Sequence, residues 1–436
     1  MSVRMDSLAQ AKENFAQGKF QECLRLLTFA FTENPDNKDC YVLAAMCLKQ
    51  MSAEDEARLF EEALARFDNA RAFFDLGYHF IDAGHNRLAV PMLERAFALA
   101  PGNSNIGLEL AIASCALFNP QRARAVLAQC DLSTSFWVGY QFYWASLLCG
   151  ITDGVEQFSK ESRRQFLSQA ASHEIRGALY ALDKLDEMRI RVAIFKEIPP
   201  LIQHWHFIQY GSAILDYFDD SNGQDGLKVA GGRWVYVGIS YMQLTITLNK
   251  LRRYMTELGK PAKQVLSMPD RDSVIIAHGA AKILDLPLVV LAKPADAGQD
   301  DTLLVAAHNW NLAEAPIERV QRGQLVFTFN HNWLEPGPNT ADVIGLMSQY
   351  CTFPWSADRI VMDPRTNQRT EASEDRREPE EIAFEFGNQL SELGAEFDQL
   401  LQFYKDHLVY MKGGRLGGNK RWRFITDSPV PGNYFC

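Results

Sequence analysis

Apolar positions in the first third of the chain recur at helical spacing, and the helices they predict recur in turn. Gly18, Phe20, Cys23 and Ala30 are followed by Pro35-Asp-Asn37. Leu76, Gly77, Phe80, Gly84, Ala89, Leu93 and Ala96 are followed, at the same interval after the alanine, by Pro101-Gly-Asn103. Ala30 lies 66 residues before Ala96, Pro35 lies 66 before Pro101, and Ala63 falls halfway between the two alanines. A fourth unit carries Leu110, Ala111, Pro120, Ala123, Leu127 and Cys130. Such a pattern predicts successive packed helices, with Gly77 and Ala89 small enough for close approach. Ala30, Ala63 and Ala96 would face the next unit, and Pro35 and Pro101 would end helices because proline cannot continue them.

The period of about 34 residues, with its small–small–large spacing, resembles the tetratricopeptide repeat. The match is good in the first and third units and weaker in the second and fourth, where Phe118 stands in place of a glycine. Aromatic-rich helices follow at Phe136, Trp137, Tyr140, Phe142, Tyr143 and Trp144, as a fifth repeat or a cap, so the helical region is expected over residues 4–155. The resemblance implies a groove that receives a protein or peptide partner. No run of Lys and Asn marks a carboxylate-binding clamp.

Residues 156–226 read as a helical connecting segment and linker. Ile175, Ala178, Leu179, Leu182 and Leu185 keep helical spacing, Pro199-Pro200 breaks it, and Asp219 to Gly226 is a polar, glycine-bearing stretch. Between these lies His204-Trp-His206. On a strand both imidazoles would share a face; on a helix they would point about 200° apart. With no Asp, Glu or Cys nearby at ligand spacing, a metal is not expected.

From residue 227 the pattern changes period. Strands are predicted at Arg233–Ile239, Gln264–Met268, Leu286–Leu291 (buried), Asp301–Ala307 and Gln324–Phe329, with helices at Gln243–Leu258, Asp272–Leu284 and Thr340–Tyr350. Alternating strands and helices indicate an α/β domain with a mainly parallel sheet over residues 227–362. Residues 363–381 form a charged, flexible loop. Residues 382–436 carry one long amphipathic helix, with apolar residues from Ile382 to Leu408 at helical spacing within Glu380–Met411, and a basic glycine-rich arm with Arg415, Lys420 and Arg421 as candidate anion-binding groups.

Val265-Leu-Ser-Met-Pro269-Asp-Arg-Asp-Ser273, an alanine-rich helix and Leu284-Asp-Leu286-Pro287 leading into a strand that ends near Lys293 resemble the opening of a type I phosphoribosyltransferase. That resemblance implies a pyrophosphate loop at Pro269–Asp272 and a phosphate cradle at Asn339-Thr340 opening a helix. Its acidic ribose-binding pair is replaced by Asn330-His331, so the domain resembles a degenerate member whose donor chemistry is altered. Two triplets, His308-Asn309-Trp310 and His331-Asn332-Trp333, fall at predicted strand ends, where open α/β sheets bind ligands. Arg271, Asn309, Trp310, Asn332, Trp333, Asn339 and Thr340 are therefore the candidate ligand-binding residues, and His308 and His331 the candidate general bases.

Hydrophobic residues make up 47% and charged residues 22% of the 436, which excludes a disordered chain. The net charge of −10 argues against generic nucleic-acid binding, and no apolar run is long enough for a membrane span. Eight cysteines without a CxxC pair fit reduced core residues of a cytoplasmic protein. The expectation is a scaffold or regulator. Its repeats would bind a protein partner and its α/β domain would bind or sense a nucleotide or phosphosugar, with no cofactor. The alternative is an active transferase with an altered site.

Overall fold

Asparagine caps four of the helices in the first unit. Asn37, Asn69, Asn103 and Asn119 each accept a first-turn backbone N–H on the side-chain oxygen, which satisfies a donor the helix itself leaves unpaired. The computed structural model describes residues 6–117, 119–169, 172–198, 201–216, 236–332, 337, 339–348, 350–357, 360–362, 369–386 and 393–424. They divide into two units, Met1–Leu185 and Asp186–Asn433.

The first unit contains α1 (Ser7–Ala16), α2 (Phe20–Glu33), α3 (Lys38–Gln50), α4 (Glu54–Ala65), α5 (Ala70–Asp82), α6 (Asn86–Leu99), α7 (Ser104–Ala116), α8 (Pro120–Leu127), α9 (Phe136–Leu148) and α10 (Val155–Leu167). Each odd-numbered helix pairs with the next, and each second helix packs on the first helix of the following pair. First helices also neighbour one another, as α1 with α3, α5 with α7 and α7 with α9, so they form one layer of a helical repeat. Ala30, Ala63 and Ala96 are all buried in this packing. Gly77 meets its expectation directly: a Cβ there would sit 2.7 Å from Leu93 Cγ on the paired helix. The described cysteines are free thiols.

The division between the units falls inside α11 (His173–Val192). The second unit continues with α12 (Ile202–Tyr210), β1 (Ala213–Ile214), β2 (Tyr236–Gly238), α13 (Tyr241–Glu257), β3 (Gln264–Ser267), α14 (Arg271–Leu284), β4 (Leu288–Val290), β5 (Thr302–His308), β6 (Leu325–Asn332), β7 (Val343–Ser348), β8 (Tyr350–Thr352), β9 (Ile360–Met362), β10 (Arg369–Glu371), α15 (Pro379–Ala383) and α16 (Ala395–Asp406). Six strands form a sheet in the order β1-β7-β6-β5-β3-β4, parallel throughout. Every residue of β5, β6 and β7 is buried. The chain runs from β3 outward to β4 and then returns past β3 to β5. The order therefore reverses between β3 and β5, the kind of position at which open parallel sheets bind ligands.

Four expectations are corrected here. The helix expected over Thr340–Tyr350 is instead β7, because Val343-Ile-Gly-Leu-Met lies hydrogen-bonded between β6 and β1. A short, continuous apolar run does not reveal its period, and pairing on both sides decides it. Gly345 within it is required by crowding, since a Cβ would lie 2.5 Å from the Phe329 carbonyl oxygen. The strand at 286–291 is an edge rather than a buried strand, with Val289 41% and Val290 47% exposed. The long C-terminal helix is broken: α15 ends at Ala383 and α16 starts after Gly394, whose φ of +80° suits glycine. Finally, the basic arm is folded, with Lys412, Arg421 and Trp422 all buried. The polar stretch at 219–226 lies outside the described residues.

Candidate functional site

Parallel pairing brings the C-terminal ends of β5, β6 and β7 side by side. His308 pairs with Asn330, and Asn332 with Ser348. The polar side chains there form a connected set. Ser348 Oγ donates to Asn330 Oδ1 at 2.7 Å, and Asn330 Nδ2 lies 3.4 Å from His308 Nδ1. The Asn332 backbone N–H donates to Asn309 Oδ1 at 2.9 Å, and the His308 N–H to Asn311 Oδ1 at 2.8 Å. The His308 ring stacks on Trp310, centroids 4.0 Å apart and planes 12° apart. Trp310 stays 36% exposed, so its indole is the part of the set that reaches solvent. His308, Asn309, Trp310 and Asn332 thus converge, joined by Asn330 and Ser348.

His331 does not join them. Side chains alternate along a strand, so its imidazole leaves β6 on the opposite face from Asn330 and Asn332. It is fully buried against Phe424, centroids 4.2 Å apart, and neither ring nitrogen has a hydrogen-bond partner among the described residues. Burial pushes its pKa down to about 3, so the ring is neutral at physiological pH. The expected pairing of His308 and His331 as alternative bases around one substrate is therefore corrected: the two rings diverge.

The neighbouring loop after β3 is also committed internally. Asp270 caps α14 by accepting from the Ser273 N–H, and Ser273 Oγ accepts from the Ala307 N–H. Arg271 Nη2 donates to the carbonyl oxygens of Asp375 at 2.6 Å and Arg377 at 2.9 Å. Asp272 accepts the Trp355 indole N–H at 2.7 Å. Trp355 stacks on Phe353, and Phe353 packs on His308. An aromatic pair thus lies beside the start of α14, where a diphosphate was expected, and Arg271 Nη2 is committed to backbone carbonyls.

Asn339 and Thr340 precede the N-terminal end of β7 and open no helix, which corrects the expected phosphate cradle. Thr340 donates both its backbone N–H and its hydroxyl to the Trp422 carbonyl oxygen. Trp333 lies outside the described residues. In the C-terminal arm, Arg421 is buried and paired with Asp342, Lys420 lies over the Trp422 ring, and Arg415 is exposed. Arg421 is thus an internal ion-pair partner rather than a surface anion site. His204 and His206 lie on α12, and no group of three metal-ligating side chains occurs among the described residues.

Sequence reasoning noted Asn330 at the ribose-binding position but left it out of the candidate residues, and missed Ser348, Phe353 and Trp355. Only Asn330 carried a signal, a polar residue inside an otherwise apolar strand.

No protein-family model and no curated protein matches the chain. Among solved structures, the thermophilic TPR protein TTC0263 of Thermus thermophilus aligns at 14% identity and TM-score 0.24, over 41% of this chain and 99% of its own. A mutant of MamA aligns at 16% identity and TM-score 0.21, over 41% of this chain and 95% of its own. No described helix is long and apolar enough to cross a membrane.

Proposed function

We propose that the first unit is a protein-interaction scaffold that receives an apolar segment of a partner along its layer of first helices. One observation carries this reading. Val42, Met46, Tyr78, Ile112 and Trp137, all on α3, α5, α7 or α9, are 38–46% exposed. The placement repeats in sequence: Val42, Phe74 and Leu108 are the fifth residues of α3, α5 and α7, and Met46, Tyr78 and Ile112 the ninth. Exposed apolar side chains scattered singly need no explanation, whereas apolar positions repeated on successive helices of one layer mark an interaction surface. A cavity of about 390 Å³ between α5 and α7, lined by Arg71, Phe74, Leu108 and Glu109 among others, adds a pocket to that surface. The free thiols fit a cytoplasmic setting.

Selecting a displayed peptide library against the full chain tests this. Enriched peptides are expected to carry apolar anchors and to lose binding to the Tyr78→Glu/Ile112→Glu variant. That variant should keep its stability within about 0.5 kcal/mol per exposed site. Peptides that bind wild type and variant equally, or the absence of any enrichment, would refute it.

A second reading rests on the His308–Trp310 stack at the point where the strand order reverses. There the second unit would take a planar ligand, a nucleotide or a phosphosugar bearing a base, against the exposed indole, with Asn309 close by. The internal commitments of Arg271 and Asp272 weigh against standard phosphoribosyl-diphosphate chemistry and leave His308 as the remaining candidate base of the transferase alternative. Thermal-shift measurements with nucleotides and phosphosugars should show a rise of several degrees that Trp310→Ala removes. No rise with either class would make the second unit a scaffold as well.

A further inference from the structure

The pocket of about 390 Å³ between α5 and α7 has a chemical preference of its own, and the inference from it rests on the reading of that layer as a surface for a partner segment. Phe74 and Leu108, both half-buried, form apolar wall. Tyr78 extends this wall by stacking on Phe74, centroids 5.8 Å apart. The charged residues of the lining are Arg71 and Glu109.

These two differ in how their charges are met. Arg71 is answered on its own helix: Nε lies 2.8 Å from Asp75 Oδ1, and the guanidinium carbon lies 5.4 Å from the Phe74 ring centroid. Glu109 is half-buried, and its carboxylate makes no hydrogen bond or ion pair among the described residues. Burial, and after it the charge of the exposed Asp82, push its pKa up. The ionised carboxylate is thus partly stripped of water without a counter-charge in return, a cost that an arriving cation would offset. Among Asp, Glu, Lys and Arg, α5 and α7 together carry Asp75, Asp82 and Glu109 against Arg71. An acidic side chain entering here would face Glu109 and Asp82, whereas a basic one gains from both.

We propose that the partner segment carries, beside its apolar anchors, a lysine or arginine whose charged head donates to Glu109 while its methylene stem lies on Phe74 and Leu108. Panning a displayed library of random peptides on the full chain and on its Glu109→Lys variant tests it. Wild type should enrich peptides that combine apolar anchors with Lys or Arg, and Glu109→Lys should turn that preference to Asp or Glu. One peptide selected on wild type is then synthesised and measured by calorimetry. Glu109→Gln, and replacement of the peptide's basic residue by norleucine, should each weaken binding about tenfold. The two changes together should weaken it scarcely more than either alone, because both remove the same contact. With no internal partner to lose, both Glu109 variants should keep the circular dichroism and Tm of wild type. Suppose instead that enriched peptides lose binding to Tyr78→Glu/Ile112→Glu, yet show no basic preference and bind Glu109→Gln unchanged. That result would overturn this inference and leave the scaffold reading standing, whereas no enrichment at all would overturn both.

Discussion

Glu187→Ala is expected to destabilise the second unit by about 3–5 kcal/mol, the range for breaking a buried ion pair from one side. A single carboxylate oxygen, Oε2, accepts from Arg191 Nη2 at 2.7 Å, Lys412 Nζ at 2.8 Å and Trp422 Nε1 at 2.8 Å. The Arg191 and Lys412 side chains are 0% and 2% exposed. Truncating Glu187 leaves the buried Arg191 guanidinium without its counter-charge and removes the acceptor that Lys412 and Trp422 share. Urea unfolding monitored by Trp fluorescence reads the effect as a lowered midpoint. A loss under about 1 kcal/mol would mean that the arm from Lys412 to Trp422 is not an integral part of the unit.

The same cluster predicts a pH dependence. Burial first, and then the Arg191 charge, lower the Lys412 pKa from its ordinary 10.5 to about 7. Between about pH 7 and 10.5 the unfolded chain therefore holds a proton that the folded chain has released. Stability contributed by this residue rises with pH across that window and is flat below it. Lys412→Met should remove that rise.

Arg421→Met carries the second large effect, again about 3–5 kcal/mol. Arg421 Nε and Nη2 donate to the two oxygens of Asp342 at 2.8 and 2.6 Å, and Nη1 donates to the Ile317 carbonyl at 2.8 Å. Asp342 Oδ2 also accepts the Val326 N–H at 2.9 Å, which ties the entry of β7 to β6. Without the guanidinium, Asp342 remains as a buried, unpaired carboxylate at a sheet junction. Converting it too, in Arg421→Met/Asp342→Leu, should restore part of the loss, because the stranded charge is removed. A double variant no more stable than the single one would show that the Val326 contact, rather than the unpaired charge, dominates.

Arg421 illustrates what a sequence conceals. In isolation it belongs to a basic glycine-rich run, which reads as a solvated arm. Its partner lies 79 positions away, and Glu187, the partner of Lys412, lies 225 away. Charge complementarity at that separation leaves no local trace. β7 is obscured for a related reason: its apolar run has no visible period until β6 and β1 flank it. Arg271 stands out by position, yet the carbonyls that occupy it come from more than a hundred residues downstream.

The features carried by near neighbours were legible throughout. Small residues such as Gly77, and the alanines at 30, 63 and 96, act within one or two helices of themselves. Their spacing alone therefore determined the helical repeats of the first unit. Alternation of apolar strands with helices likewise determined a parallel sheet and marked His308, Asn309 and Trp310 at its strand ends. The tertiary structure alone decided which polar groups converge, which are spent on internal partners and which line a cavity. Those outcomes depend on pairings between distant segments, whose energy appears only when the fold brings them out of water together.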